Sequence, residues 1–198
     1  MALRISICAA VLVANLSSVM AAEALSEMPS PHGDYTIRIL DKKLPGADFY
    51  FGDQTIALYH GRKLLSQFPT TGYLLQAYWS ANGSFVAVNN RRGHEGDYLW
   101  VFSLRDGKAV RKPDDKLGDP KSFVPRITKR FADCTEDSLF RYYLIAMGWH
   151  APNELKVRTD VRFYRTKLSD VLIDDVYAVS EHSFKLIRES LGPAPPDA

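Results

Sequence analysis

Along most of the chain, apolar and polar residues alternate one by one. Tyr35, Ile37 and Ile39 fall on one side of an extended segment, with Thr36, Arg38 and Leu40 on the other. A period of two is the mark of a strand with a buried and an open face. Residues 47–51, 54–59 and 63–68 repeat the pattern, separated by Gly52-Asp53 and Gly61-Arg62. Residues 25–34, rich in Ser, Pro and Gly, read as a flexible leader to this region. The most legible stretch is 73–111. Tyr73–Trp79 is one strand, Ser80-Ala81-Asn82-Gly83 a tight turn, and Ser84–Asn89 the returning strand. Asp97–Leu104 is a third strand, followed by the turn Arg105-Asp106-Gly107-Lys108. In it Tyr98, Trp100, Phe102 and Leu104 share one face while Leu99 and Val101 share the other. Both faces are apolar, which predicts a strand covered on two sides.

The period then changes. Phe123, Ile127 and Phe131 recur every four residues, predicting a helix over 122–133, capped by Ser122 and packed on the sheet. Pro125 is read as lying in the first turn, where its missing N–H has no helical partner. The preceding segment, 112–121, is charged and carries Pro and Gly, so it reads as a loop. Residues 140–149 and 155–164 return to strand, joined by Ala151-Pro152-Asn153-Glu154. Residues 175–180 and 183–188 form a last hairpin, and 191–198 a loose, proline-bearing tail. The fold class expected is mostly β, with antiparallel sheets and one packed helix. The domain plan is a signal peptide over 1–22, one β-rich domain over 34–190, and the tail.

The amino terminus supports that plan. Arg4 is the only charge before Glu23, and the run between them is apolar and small. Small residues around Ala21, Ala22 and Ala24 suit signal peptidase, which makes the chain an exported, periplasmic or secreted protein. No later segment approaches the ~20 apolar residues of a membrane span. Removal of the leader takes Cys8 with it and leaves Cys134 alone, read as a small buried hydrophobe. The formal charge of +2, with Lys and Arg scattered, gives no basic stripe for nucleic acid.

Residues 78–110 carry a recognisable order of features. Trp79-Ser80-Ala81-Asn82-Gly83 precedes an apolar strand, the polar Asn90-Arg91-Arg92-Gly93, a second apolar strand from Asp97, and the turn Asp106-Gly107-Lys108. This resembles one blade of the periplasmic Tol-type and WD-type β-propellers, with Ala81-Asn82 where such blades usually have Pro-Asp. Trp149-His150-Ala151-Pro152-Asn153-Glu154 is a weaker echo. The resemblance implies a scaffold in which Trp fills the gap between neighbouring sheets. Propeller repeats recur at about 40–45 residues, and Trp79 and Trp149 lie much farther apart. A blade-like antiparallel sheet in a small α+β domain is therefore the expectation, with a small four-bladed propeller as the alternative.

Candidate chemistry is sparse. The densest polar segment is Asn89–Asp97. It could bind an anion through Arg91, Arg92 and glycine-freed amides, with Asn90, His94 and Asp97 also candidate contacts, or place His94, Glu95 and Asp97 around a metal. As a solvated hairpin loop it needs neither, and no metal site is assigned. Nor does the sequence carry a Gly-x-Ser-x-Gly elbow, zinc spacing, EF-hand loop or phosphate-cradling motif, so no cofactor is expected. His60 and His150 each sit at a strand end. Tyr73, Tyr142 and Tyr143 are read as core, with the lining of a ligand groove as the alternative. The functional expectation is a non-enzymatic binding or interaction protein whose partner is an envelope protein or small anion. Its contact surfaces would be 89–97 and 150–154, including His150. An envelope hydrolase pairing a His with a carboxylate is the alternative.

Overall fold

The structure, a computed structural model, describes residues 24–40, 54–70, 75–91, 97–112, 117, 119–181 and 183–194. Among these, the strands form three antiparallel sheets of four, each a meander of consecutive strands. Sheet I comprises β1 (Ala24–Pro29), β2 (Tyr35–Leu40), β3 (Gln54–His60) and β4 (Lys63–Thr70). Sheet II comprises β5 (Leu75–Trp79), β6 (Phe85–Arg91), β7 (Asp97–Arg105) and β8 (Lys108–Lys112). Sheet III comprises β9 (Leu139–Ala151), β10 (Glu154–Phe163), β11 (Asp170–Val179) and β12 (Phe184–Pro193). The described strands thus make three blade-like sheets rather than the four of the propeller alternative.

The sheets stack with sheet II in the middle, and the two-faced pattern of β7 is the reason. Trp100, Phe102 and Leu104 meet Ile37, Ile56 and Leu58 of sheet I. Leu99 and Val101, on the opposite face, meet Leu144, Ala146, Leu155 and Val157 of sheet III. Sheet III is longer than its neighbour: β10 has 10 residues and β6 has 7. Three residues of strand span about 10 Å, close to one helix diameter. The helix α1 (Pro120–Arg130) fills that overhang, packing Phe123, Val124 and Ile127 on Val161, Phe163, Val171 and Ile173. One continuous face of sheet III therefore covers sheet II with Leu155 and Val157 and α1 with Val161 and Phe163.

Several boundaries differ from the sequence reading. The region of the expected leader contains β1, paired with β2 from Ala24↔Leu40 to Pro29↔Thr36. Its turn shares three hydrogen bonds with that of sheet II. The Ser30 amide donates to the Tyr35 carbonyl at 2.8 Å, and the Gly33 amide donates to the Ser30 carbonyl at 2.9 Å. The Ser80 amide donates to the Phe85 carbonyl at 3.0 Å, and the Gly83 amide to the Ser80 carbonyl at 2.9 Å. In each, the serine hydroxyl accepts from the aromatic residue five positions on. Gly33 and Gly83 take φ of 77° and 67°, a left-handed conformation that disfavours other residues. At the other end, β12 runs through Leu191 to Pro193, paired with Val171. Part of the expected tail is therefore strand, which an edge position permits for proline. β8, within the stretch after Lys108, is a further strand.

The helix starts earlier than expected. Its cap is Asp119, whose Oδ1 accepts from the Lys121 amide at 2.9 Å, with Pro120 at the first helical position. That Asp-Pro pair supplies both cap and preset φ and displaces Ser122. Pro125 consequently lies inside the helix, not in its first turn. The predicted strand at 47–51 lies outside the described residues.

Candidate binding surfaces

Each meander turns tightly at one end of the stack: at 30–34, 61–62, 80–84, 106–107, 152–153 and 180–183. Contacts between sheets place these turns together. Gly83 faces His32 and Ser30, and Gly107 faces His60. Arg105 reaches Glu181 at 3.2 Å. The Trp149 Nε1 donates to the Tyr78 carbonyl at 2.8 Å. At the opposite end lie Leu40 of β2, Arg91 of β6, Lys112 of β8 and the described connection 164–169.

This arrangement separates the two surfaces expected from sequence. Asn90, Arg91 and Asp97 lie at the end away from the tight turns and His150 at the turn end, so the structure does not bring these four together. Asn90 is buried at 3 % exposure. Backbone pairing joins Arg91 to Asp97 at the root of the loop. Arg92 and His94 lie outside the described residues. Asn89, next in the chain, has a clear role: its Nδ2 donates to the Ala146 carbonyl at 2.9 Å, and its Oδ1 accepts from the Ala146 amide at 2.8 Å. It offers Ala146 the bonds a neighbouring strand would make, and it ties sheet II to sheet III.

The histidines do not assemble catalytic pairs among the described residues. His60 packs on Tyr35, ring centroids 4.8 Å apart, and against Gly107, whose amide donates to the Tyr35 hydroxyl at 3.3 Å. His150 is exposed on β9. Neither has a carboxylate partner there, and the described residues contain no cluster of His, Cys, Asp and Glu suited to a metal ion. Cys134 is fully buried. Burial, with the Asp133 carboxylate second, pushes its thiol pKa up and keeps it protonated. Tyr142 and Tyr143 are half-buried and buried respectively, as expected; Tyr73 lies outside the described residues.

The strongest buried electrostatics were not visible in the sequence. Asp175, 3 % exposed, sits on sheet III where the sheet II core meets the α1 core. Arg126 of α1 bridges it through both terminal nitrogens, at 3.2 and 2.9 Å, and also reaches Glu189 at 2.5 Å. The Tyr177 hydroxyl donates to Asp175 at 2.8 Å. Burial works against the Arg126 cation, but the bonds to Asp175 and Glu189 outweigh it and hold it charged. Burial also pushes the Tyr177 pKa well up, aided by Asp175. A cleft of about 510 Å³ opens beside this group, lined by Arg126, Lys129, Arg130, Glu189, Ser190 and Leu191. Arg126 is committed to its two carboxylates and Arg130 to the Leu191 carbonyl, so the cleft reads as the seam between α1 and β12. No helix of the described residues is long and apolar enough to cross a membrane.

Comparison with protein-family models and with curated proteins found no match for the chain.

Proposed function

We propose that the chain is an exported, non-enzymatic binding protein: a stack of blade-like sheets that presents its longer connections as a contact surface. The observation that carries this reading is the asymmetry of the stack. Tight turns close one end, and β2, β6 and β8 reach the other at Leu40, Arg91 and Lys112. In rigid β scaffolds, recognition is concentrated in the connections between strands. Arg91 and Arg92 are the contact cations of this surface, and an acidic envelope protein or small anion is the partner. Export is supported by the apolar run after Arg4 and by the small residues around Ala21, Ala22 and Ala24, which suit signal peptidase. The hydrolase alternative needs a histidine beside a carboxylate, and the positions of His60 and His150 lend it no support.

The test uses the full chain expressed with its leader in a bacterial host. The expected result is a processed protein in the periplasmic fraction, with an amino terminus at Ala22, Glu23 or Leu25 by mass spectrometry. Arg91→Ala with Arg92→Ala should keep the thermal midpoint yet lose a partner retained by wild type on an affinity column. Unprocessed cytoplasmic protein would defeat the export reading, and equal retention by the double variant would defeat the role of the two arginines.

A further inference from the structure

The outer face of sheet III, turned away from sheet II, carries a row of arginines and aspartates. Arg158 forks onto Asp174 at 2.7 and 3.0 Å. Arg162 lies 3.3 Å from Asp170 and 4.0 Å from Asp160. Arg141, directly across from Arg162 in the β9–β10 register, has no carboxylate or carbonyl partner among the described residues. Its Nε is closed off from solvent without an acceptor. Two like charges opposite one another are unfavourable in a sheet, and a shielded donor left unbonded adds to the cost. Asp160 shares this face and feels the charge of Arg141, but no ion pair joins them.

Arg141 is nevertheless held in place. Its guanidinium lies 5.3 Å from the ring centroids of both Phe140 and Tyr143. Phe140 owes this position to a bulge. The register passes from Arg162↔Arg141 to Phe163↔Leu139, leaving Phe140 as the extra residue. Bulges re-aim side chains in this way, and they are common beside functional sites. The Phe140 ring then meets Tyr164 at 4.2 Å. These two rings are 47 % and 58 % exposed, unlike most aromatics among the described residues, and form an apolar shelf beside the cation. An arginine steadied by aromatic faces, with its fork unspent, is set up for two parallel bonds to a carboxylate.

We propose that Arg141, with the Phe140–Tyr164 shelf, is a binding site for a carboxylate carried next to a flat apolar ring. The carboxylate takes the guanidinium fork, and the ring lies on the shelf. The site is separate from the 89–97 loop, and its test does not depend on export or on that surface.

Benzoate is the probe, titrated into the full-length protein and followed by amide NMR, with acetate as the ring-less control. The expected result is saturable shifts confined to 139–143 and 162–165, with acetate weaker. Arg141→Gln should weaken benzoate about tenfold or more, the equivalent of one charged fork lost. Arg141→Lys, which keeps charge but not the fork, should fall between. Phe140→Ala should weaken benzoate and leave acetate unchanged. Asp160→Asn, which removes a neighbouring anion and keeps Arg141, should tighten benzoate, and it tests the site even if Arg141→Gln fails to fold. Wild-type affinity in Arg141→Gln, equal shifts by benzoate and acetate, or no tightening in Asp160→Asn would each overturn the proposal.

Discussion

Where sheet II meets sheet I, the seam is ring against ring. Phe68 stacks on Phe102 at 5.0 Å and meets the edge of Trp100 at 5.1 Å, with half-buried Trp79 packed on the same cluster. Where sheet II meets sheet III, the buried residues are smaller, Ala87, Val101 and Ala146 among them. There the sheets are joined by polar bonds: Asn89 with Ala146, and Trp149 with the Tyr78 carbonyl. Apolar packing rewards area and has little direction, so it holds two sheets together without fixing how one slides on the other. Hydrogen bonds require a partner at one distance and angle. Both seams cohere through apolar packing, and the second also carries the bonds that set its alignment.

Three substitutions separate these roles. Phe102→Ala, at a side chain 1 % exposed in the first seam, should cost about 3–5 kcal/mol, read as a fall in the urea midpoint with an unchanged slope. A cost below that of the polar variants would show that packing at this seam contributes less than the bonds at the other. Asn89→Leu keeps the volume but strands the Ala146 amide and carbonyl, and should cost about 1–3 kcal/mol. Its signature is faster hydrogen exchange on β9 around residue 146, with β3 unchanged; uniform protection would show the clamp to be incidental. Trp149→Phe retains a ring to stack on Phe85, now 5.6 Å from the indole, and loses only the bond to Tyr78. About 1 kcal/mol is expected, and calorimetry giving 3 kcal/mol or more would make ring area the main contribution of Trp149.

How much of this could be read in the chain depended on whether the signal was local. The two apolar faces of β7 placed it between sheets without any knowledge of the partners, because alternation alone reports burial on each side. The Ser80–Gly83 turn was legible for the same reason. Its twin at Ser30–Gly33 went unread because Pro31 and Gly33 look like loop punctuation. The signal was present: a serine, a glycine three positions on and an aromatic two beyond that, found again at Ser80, Gly83 and Phe85. Asp119-Pro120 was likewise visible as a helix start, but Ser122 sat closer to the apolar stripe. The arginines resisted because their meaning lies in tertiary pairing. In sequence Arg141, Arg158 and Arg162 are similar polar positions in alternating strands. Only cross-strand register shows that two have carboxylates and the third does not. Asp175 gave no warning either, since nothing near it in sequence announces Arg126.

The overhang of sheet III and the helix upon it are two parts of one modification. If the helix were excised, Val161, Phe163, Val171 and Ile173 would become a sticky shelf on long strands, open to any other chain. If the strands were trimmed instead, the apolar stripe of Phe123, Val124 and Ile127 would have nowhere to dry. Engineering or evolutionary drift in this protein must therefore change both together, and deletions confined to 119–138 should be recovered as aggregate, not as a smaller folded body.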